Sequence, residues 1–221
     1  MRLNTLKVGN ANWKYILGEI FLIFVGINLA VWFNNWNASK AISKNKEQAV
    51  LKIEGEIQSN LEELQSSWER NGSIPLFIED FRSLTTDEED RVLITVAEMQ
   101  DFKTKYSGFF TPLDSLDVGS NKFAYTYETF INLEIAALSE IAWETSKSTG
   151  IFNAFEFDCL YGLESMYNLQ GLVKQEYGNA LEALQKEDID KLIRVLVFID
   201  QLDDQLEEKY QEMLQNLNDC K

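Results

Sequence analysis

Histidine is absent from all 221 residues, and that one absence removes a large block of chemistry. Ser-His-Asp and Cys-His nucleophile arrangements need an imidazole base, and so does any histidine-ligated metal site. Cysteine is almost as scarce. Cys159 and Cys220 lie far apart in the chain and form no metal-binding spacing. In an oxidising compartment the two can pair; taken separately, Cys159 reads as a buried core thiol and Cys220 as a terminal one. Positive charge is also in short supply, with 20 Lys and Arg against 36 Asp and Glu and a formal charge of −16. Its distribution is uneven. Residues 1–52 hold seven basic residues and two acids, whereas residues 53–221 hold 13 and 34. An acidic domain of that kind repels nucleic acid, because phosphate binding requires cationic neutralisation. No nucleophile–base pair, phosphate-binding loop or metal cluster is present in the pattern of residues. The expectation is therefore a protein that is not an enzyme and carries no cofactor or metal.

What the chain does have is one long apolar run, YILGEIFLIFVGINLAVWF, from Tyr15 to Phe33. As a helix these residues span about 28 Å, close to the ~30 Å hydrocarbon core of a bilayer. Trp13 and Tyr15 stand at one end, Trp32 and Trp36 at the other, as in the aromatic belts of membrane–water interfaces. A cleaved signal peptide has a shorter apolar region ending in small residues, whereas this run ends in Trp32-Phe33-Asn34-Asn35-Trp36. It reads as a retained transmembrane helix, with the lipid bilayer as first partner. Basic residues flank it on both sides, where each favours anionic lipid. The short basic tail, residues 1–14, is expected in the cytoplasm and the acidic domain outside it.

Polar and small residues inside the span mark where it would meet protein. Glu19 is its only charge, and such groups pair, protonate or face a bundle interior. Gly26 and Ala30 form a small-xxx-small pair that lets helices approach closely, and Gly18 precedes the acid. At 100° per residue Glu19 and Gly26 point nearly the same way, while Asn28 lies about 180° from Glu19.

Beyond the span, residues 34–70 have no proline and read as a juxtamembrane helix. Its apolar stripe is Val50, Ile53, Ile57, Leu61, Leu64 and Trp68, and Asn71-Gly72 is its stop. A short helix is expected near Pro75. A capping box at Thr86-Asp87-Glu88-Glu89 would open another helix running through Val92–Tyr106. Ser107–Lys122 reads as irregular, its Asp, Gly and Asn residues supplying turn chemistry. Helices are then expected over Ala124–Ser148, Ile151–Leu184 and Asp188–Leu217. The last carries a 4-3-4-3 seam of Leu192, Leu196, Ile199, Asp203, Leu206, Tyr210, Met213 and Leu217, in which Asp203 is a polar interruption able to set register or partner number. The fold expected is all-α: an N-terminal transmembrane helix followed by a mostly antiparallel helical bundle, with residues 71–221 forming the acidic domain.

Two stretches resemble a family of uncharacterised bacterial single-span membrane proteins. One is the anchor, with Tyr15, Gly18-Glu19-Ile20, Val25-Gly26-Ile27 and Asn34-Asn35-Trp36-Asn37. The other is Ala142–Gly150, AWETSKSTG, ending in S-x-G. The tail here is shorter and less basic than is usual in that family. The resemblance implies an extracytoplasmic helical domain anchored in the bacterial inner membrane, and supplies no activity.

Three functions follow as expectations. The first is a non-catalytic binding or scaffolding subunit that assembles with itself or a partner membrane protein through its span and domain. The second is an ion- or proton-coupled subunit using Glu19. The third is an extracytoplasmic ligand sensor with an aromatic pocket over Phe152–Tyr167.

Overall fold

The structure is a computed structural model and describes residues 13–220; most of the tail expected over residues 1–14 lies outside these. Helix α1 runs without a break from Trp13 to Asn71, so it already includes Trp13 and Lys14, and it joins the apolar run to the domain as one rod. It contains an apolar window of mean hydropathy 2.2, none of which is buried, and is long and apolar enough to cross a membrane. From Val50 onward its character changes. The buried positions are Val50, Ile53, Ile57, Asn60, Leu64, Ser67 and Asn71, a strict 3-4 alternation. Leu61 is only partly buried and Trp68 is half exposed, so the expected apolar stripe is corrected: Asn60, Ser67 and Asn71 take the seam positions instead.

Helix α2, Ser73–Ser83, follows after Gly72. The chain then departs from the all-α expectation. Strand β1 is Val92–Ile94, β2 is Phe110–Gly119 and β3 is Lys122–Thr129, forming an antiparallel sheet in the order β1-β3-β2. Between β1 and β2 lies helix α3, Val96–Lys105, opened by a capping box of Thr95 and Glu98 rather than the one expected at Thr86. Asp87 instead holds a turn, its carboxylate accepting from the Glu89 and Arg91 amides and pairing with the Arg91 guanidinium. The β2–β3 hairpin turns at Ser120 and Asn121, both with positive φ, the backbone of a type I′ turn. The stretch read as irregular is therefore strand and turn, and the helix expected over Ala124–Ser148 is replaced by β3, an extended strap over residues 130–140 and a short helix α4, Ile141–Ser148. The sheet packs on α2 and α3 through rings of Phe77, Phe81, Phe102, Tyr106, Phe110 and Tyr127.

After a 3-10 turn at Ile151–Ala154 come α5, Phe157–Gln185, and α6, Ile189–Asn216. Every residue expected in the α6 seam is buried, and Leu202 beside it is buried too. Contacts run from Glu56 to Tyr167 and from Asn60 to Gln170, so α5 lies parallel to α1. Gln65–Glu207 and Trp68–Asp200 set α6 antiparallel to α1. The extended strap is what returns the chain to the start of the bundle and allows a parallel pair. Gly162 marks the close crossing of α5 and α6, since a Cβ there would sit 2.8 Å from Met213 Sδ. Cys159 and Cys220 form a disulfide with Cα atoms 5.4 Å apart, joining the start of α5 to the 3-10 turn after α6 and correcting the reading of two separate thiols.

Candidate functional site: two polar layers in the three-helix core

Three helices each place two polar side chains in the seam, seven residues apart: Asn60 and Ser67 on α1, Gln170 and Tyr177 on α5, Tyr210 and Asp203 on α6. One heptad is about 10.5 Å of helix, so these six form two layers across an otherwise apolar core. In the first layer the Gln170 Oε1 accepts from Asn60 Nδ2 at 3.1 Å and from the Tyr210 hydroxyl at 2.8 Å. Asn60 Nδ2 and Gln170 Nε2 both donate to the Ser139 carbonyl of the strap, at 2.7 and 3.0 Å. Each polar atom of these two buried amides that the layer encloses is thus engaged, the condition under which a buried network stabilises a unique packing. Burial pushes the Tyr210 hydroxyl up from its ordinary pKa.

The second layer is not closed. Tyr177 donates to Asp203 Oδ2 at 3.1 Å, with Ser67 Oγ 3.3 Å from the Tyr177 hydroxyl. Asp203 is only 3% exposed, and its Oδ1 is enclosed without a hydrogen-bond partner. Desolvation pushes the Asp203 carboxyl up to about 7, Asp200 and Asp204 adding to the rise and the Tyr177 donor opposing it. Burial likewise pushes Tyr177 up to about 12.

A third cluster lies nearer the apolar half of α1. The Glu56 carboxylate accepts from Ser139 Oγ and the Ala142 amide at 2.8 Å, the Trp143 amide at 3.3 Å and the Tyr167 hydroxyl at 2.7 Å. The residue preceding α4, Glu140, makes no side-chain cap. Glu56 supplies that cap from another helix, satisfying amides that a helix start leaves free.

Of the residues named in the sequence seam, Asp203 and Tyr210 belong to these layers. The span residues stand apart. Trp13, Tyr15, Gly18, Glu19, Gly26, Asn28, Ala30, Trp32 and Trp36 are all exposed on α1. Trp32 and Trp36 stack at 6.4 Å and the Lys40 ammonium sits 3.8 Å over the Trp36 ring, a cation–aromatic contact at the span's end. Asn28 Nδ2 donates to the Phe24 carbonyl at 2.7 Å, so its amide is partly satisfied within its own helix. No side chain of the described residues pairs with Glu19. Of the aromatic residues expected to line a pocket over Phe152–Tyr167, Phe152, Phe155 and Tyr167 instead pack with Trp143: Trp143 stacks on Tyr167 at 4.9 Å and meets Phe152 at a tilt at 4.7 Å, Phe152 meets Phe155 at 5.2 Å, and Phe157 and Tyr161 are exposed. Asn60, Gln170, Ser67 and Glu56 escaped the sequence reading because each looks like an ordinary surface polar residue. The signal that finds the first three is heptad spacing counted without regard to polarity.

Neither a family model, a curated protein nor a solved structure matches this chain.

Proposed function

We propose that the protein is a membrane-anchored, non-catalytic binding or scaffolding subunit that assembles through its span and its helical domain. The observation that carries this reading is the continuity of α1, which buries no residue through its apolar half and is buried on one face from Val50 to Asn71. An unbroken helix couples whatever surrounds the span to the packing of the domain. Within the span, Glu19 and Gly26 share a face, and Glu19 has no partner among the described residues of its own chain. A carboxylate in that position is satisfied by a second helix, which the small-xxx-small pair of Gly26 and Ala30 admits. The proposed partner is a second copy or another membrane protein.

The proposed location is the bacterial inner membrane, following the resemblance of the anchor motif, with the N-terminus cytoplasmic and the domain outside. The Cys159–Cys220 pair supports that orientation, since disulfides persist in oxidising compartments. The same unpartnered Glu19 favours one second reading, an ion- or proton-coupled subunit in which that carboxyl titrates inside an assembly.

The mass of the detergent-solubilised protein tests the first reading. The expected result is an oligomer that the double change Gly26→Leu and Ala30→Leu converts to monomer. A monomer in mild detergent that also gives no cross-linked product in membranes removes both readings. Glu19→Gln then separates them, because lost ion flux with assembly intact favours the second.

A further inference from the structure

The two polar layers differ in one atom. Every donor and acceptor around Gln170 is matched, whereas Asp203 Oδ1 is not. An enclosed carboxylate oxygen without a donor carries an uncompensated desolvation cost. Asp203 also lines two cavities that share Trp68 as a wall. The larger, about 300 Å³, is bounded by Asn71, Leu76, Leu196, Val197 and Asp200 among others; the smaller, about 40 Å³, by Leu64, Gln65, Asp204 and Glu207. No Lys or Arg lines either one. Trp68 is half exposed and is tied by its indole N–H to Asp200 Oδ1 at 2.6 Å.

We propose that the larger cavity binds a small organic cation, a protonated amine with an apolar body, whose ammonium group supplies the donor that Asp203 Oδ1 lacks. Four features select this class. Leu76, Leu196 and Val197 suit a hydrocarbon body. The Trp68 ring favours a cation on its face. Two carboxylates with no basic residue beside them disfavour anions. Two carboxylates also fall short of the six to eight oxygen ligands of a calcium shell. An ammonium has three donors, enough to replace the indole N–H on Asp200 while reaching Asp203. Because Oδ1 is enclosed, entry requires Trp68 to release Asp200, which makes that indole the gate and a reporter.

The proposal predicts a pH dependence. The groups facing Asp203 are Tyr177 from α5 and Asp200, Asp204 and Glu207 on α6; the α1 and α2 residues lining the cavities carry no titratable side chain. An ammonium requires the carboxylate form, so binding weakens as Asp203 takes up its proton.

The test uses the full chain in detergent, titrated with benzylammonium chloride and followed by calorimetry and tryptophan fluorescence, with benzyl alcohol as the neutral counterpart. Saturable one-to-one binding is expected at about pH 8, falling roughly tenfold or more at about pH 5.5. Asp203→Asn should weaken it by about tenfold or more, equivalent to ~1.4 kcal/mol. Trp68→Phe should weaken the binding heat and lose the fluorescence change. Absence of saturable heat up to ~10 mM, weaker than about −2.7 kcal/mol, overturns the proposal. So does equal binding of benzyl alcohol, or undiminished binding by Asp203→Asn. If that variant does not fold, the pH profile and the alcohol comparison decide.

Discussion

The carboxamide of Asn60 pairs with both backbone polar groups of Ser139: its Nδ2 donates to the carbonyl at 2.7 Å and its Oδ1 accepts from the amide at 2.7 Å. Asn71 does the same to Glu134, at 2.7 and 2.9 Å. Eleven residues of helix separate the two asparagines, about 16.5 Å of rise. Their partners lie five positions apart in the strap, where the Leu138 amide turns back onto the Ala136 carbonyl at 3.0 Å. The face of α1 thus offers two side-chain amides, each holding both backbone polar groups of one strap residue. Glu56, one turn further along, completes the series by capping α4.

Asn60→Ala should cost roughly 2–4 kcal/mol, because it strands the Ser139 amide and leaves Gln170 short of a donor in the core. Asn71→Ala, at the edge of the same seam, should cost less, about 1–2 kcal/mol. Urea unfolding in detergent measures both. A loss under ~0.5 kcal/mol for Asn60→Ala, the range of ordinary surface changes, would show that the clamp does not hold the strap.

Glu56→Gln keeps the shape of the side chain and removes the charge that four donors share. The expected loss is on the order of 1–2 kcal/mol. Hydrogen exchange at the Ala142 and Trp143 amides should speed up before exchange in α5 changes. Unaltered exchange at those two amides would place the cap elsewhere.

Asp203→Asn should change how stability depends on pH. The folded-state pKa of Asp203, about 7, lies above the ordinary value of 3.8, so the folded protein holds a proton that the unfolded chain has released. Its contribution is therefore most favourable below about pH 4 and is lost as pH rises toward about 7. The asparagine variant should lack that decline and be the more stable at about pH 8, by on the order of 2 kcal/mol. Thermal melts of both proteins across this range give the comparison; parallel curves would mean that Asp203 ionises normally.

Reduction of Cys159–Cys220 should lower stability by about 4 kcal/mol on a chain-entropy account, given the sequence separation of 61. The double variant Cys159→Ser, Cys220→Ser should match the reduced protein and be insensitive to thiol. Because α5 and α6 also pack through Leu163, Leu206 and Tyr210, the reduced domain should still fold. A melt unchanged by reductant would show that the bond adds nothing to that packing.

The amino-acid sequence by itself determined the elements whose signal is local and repeats along one helix. The apolar run with Trp13, Tyr15, Trp32 and Trp36, the stop at Asn71-Gly72 and the whole α6 seam through Asp203 were legible, because 3.6-residue periodicity needs no knowledge of a partner. Tertiary structure decided the rest. Residues 124–140 carry enough apolar side chains to suit a helix, yet β3 pairs between β1 and β2 and the strap that follows is claimed by amides on α1, more than sixty residues earlier. The polar layers were hidden for the same reason. Asn60, Gln170 and Tyr210 are each unfavourable to bury alone and become favourable only when three helices bring their donors and acceptors to one level, a condition that distance in space sets and no single stretch of chain records.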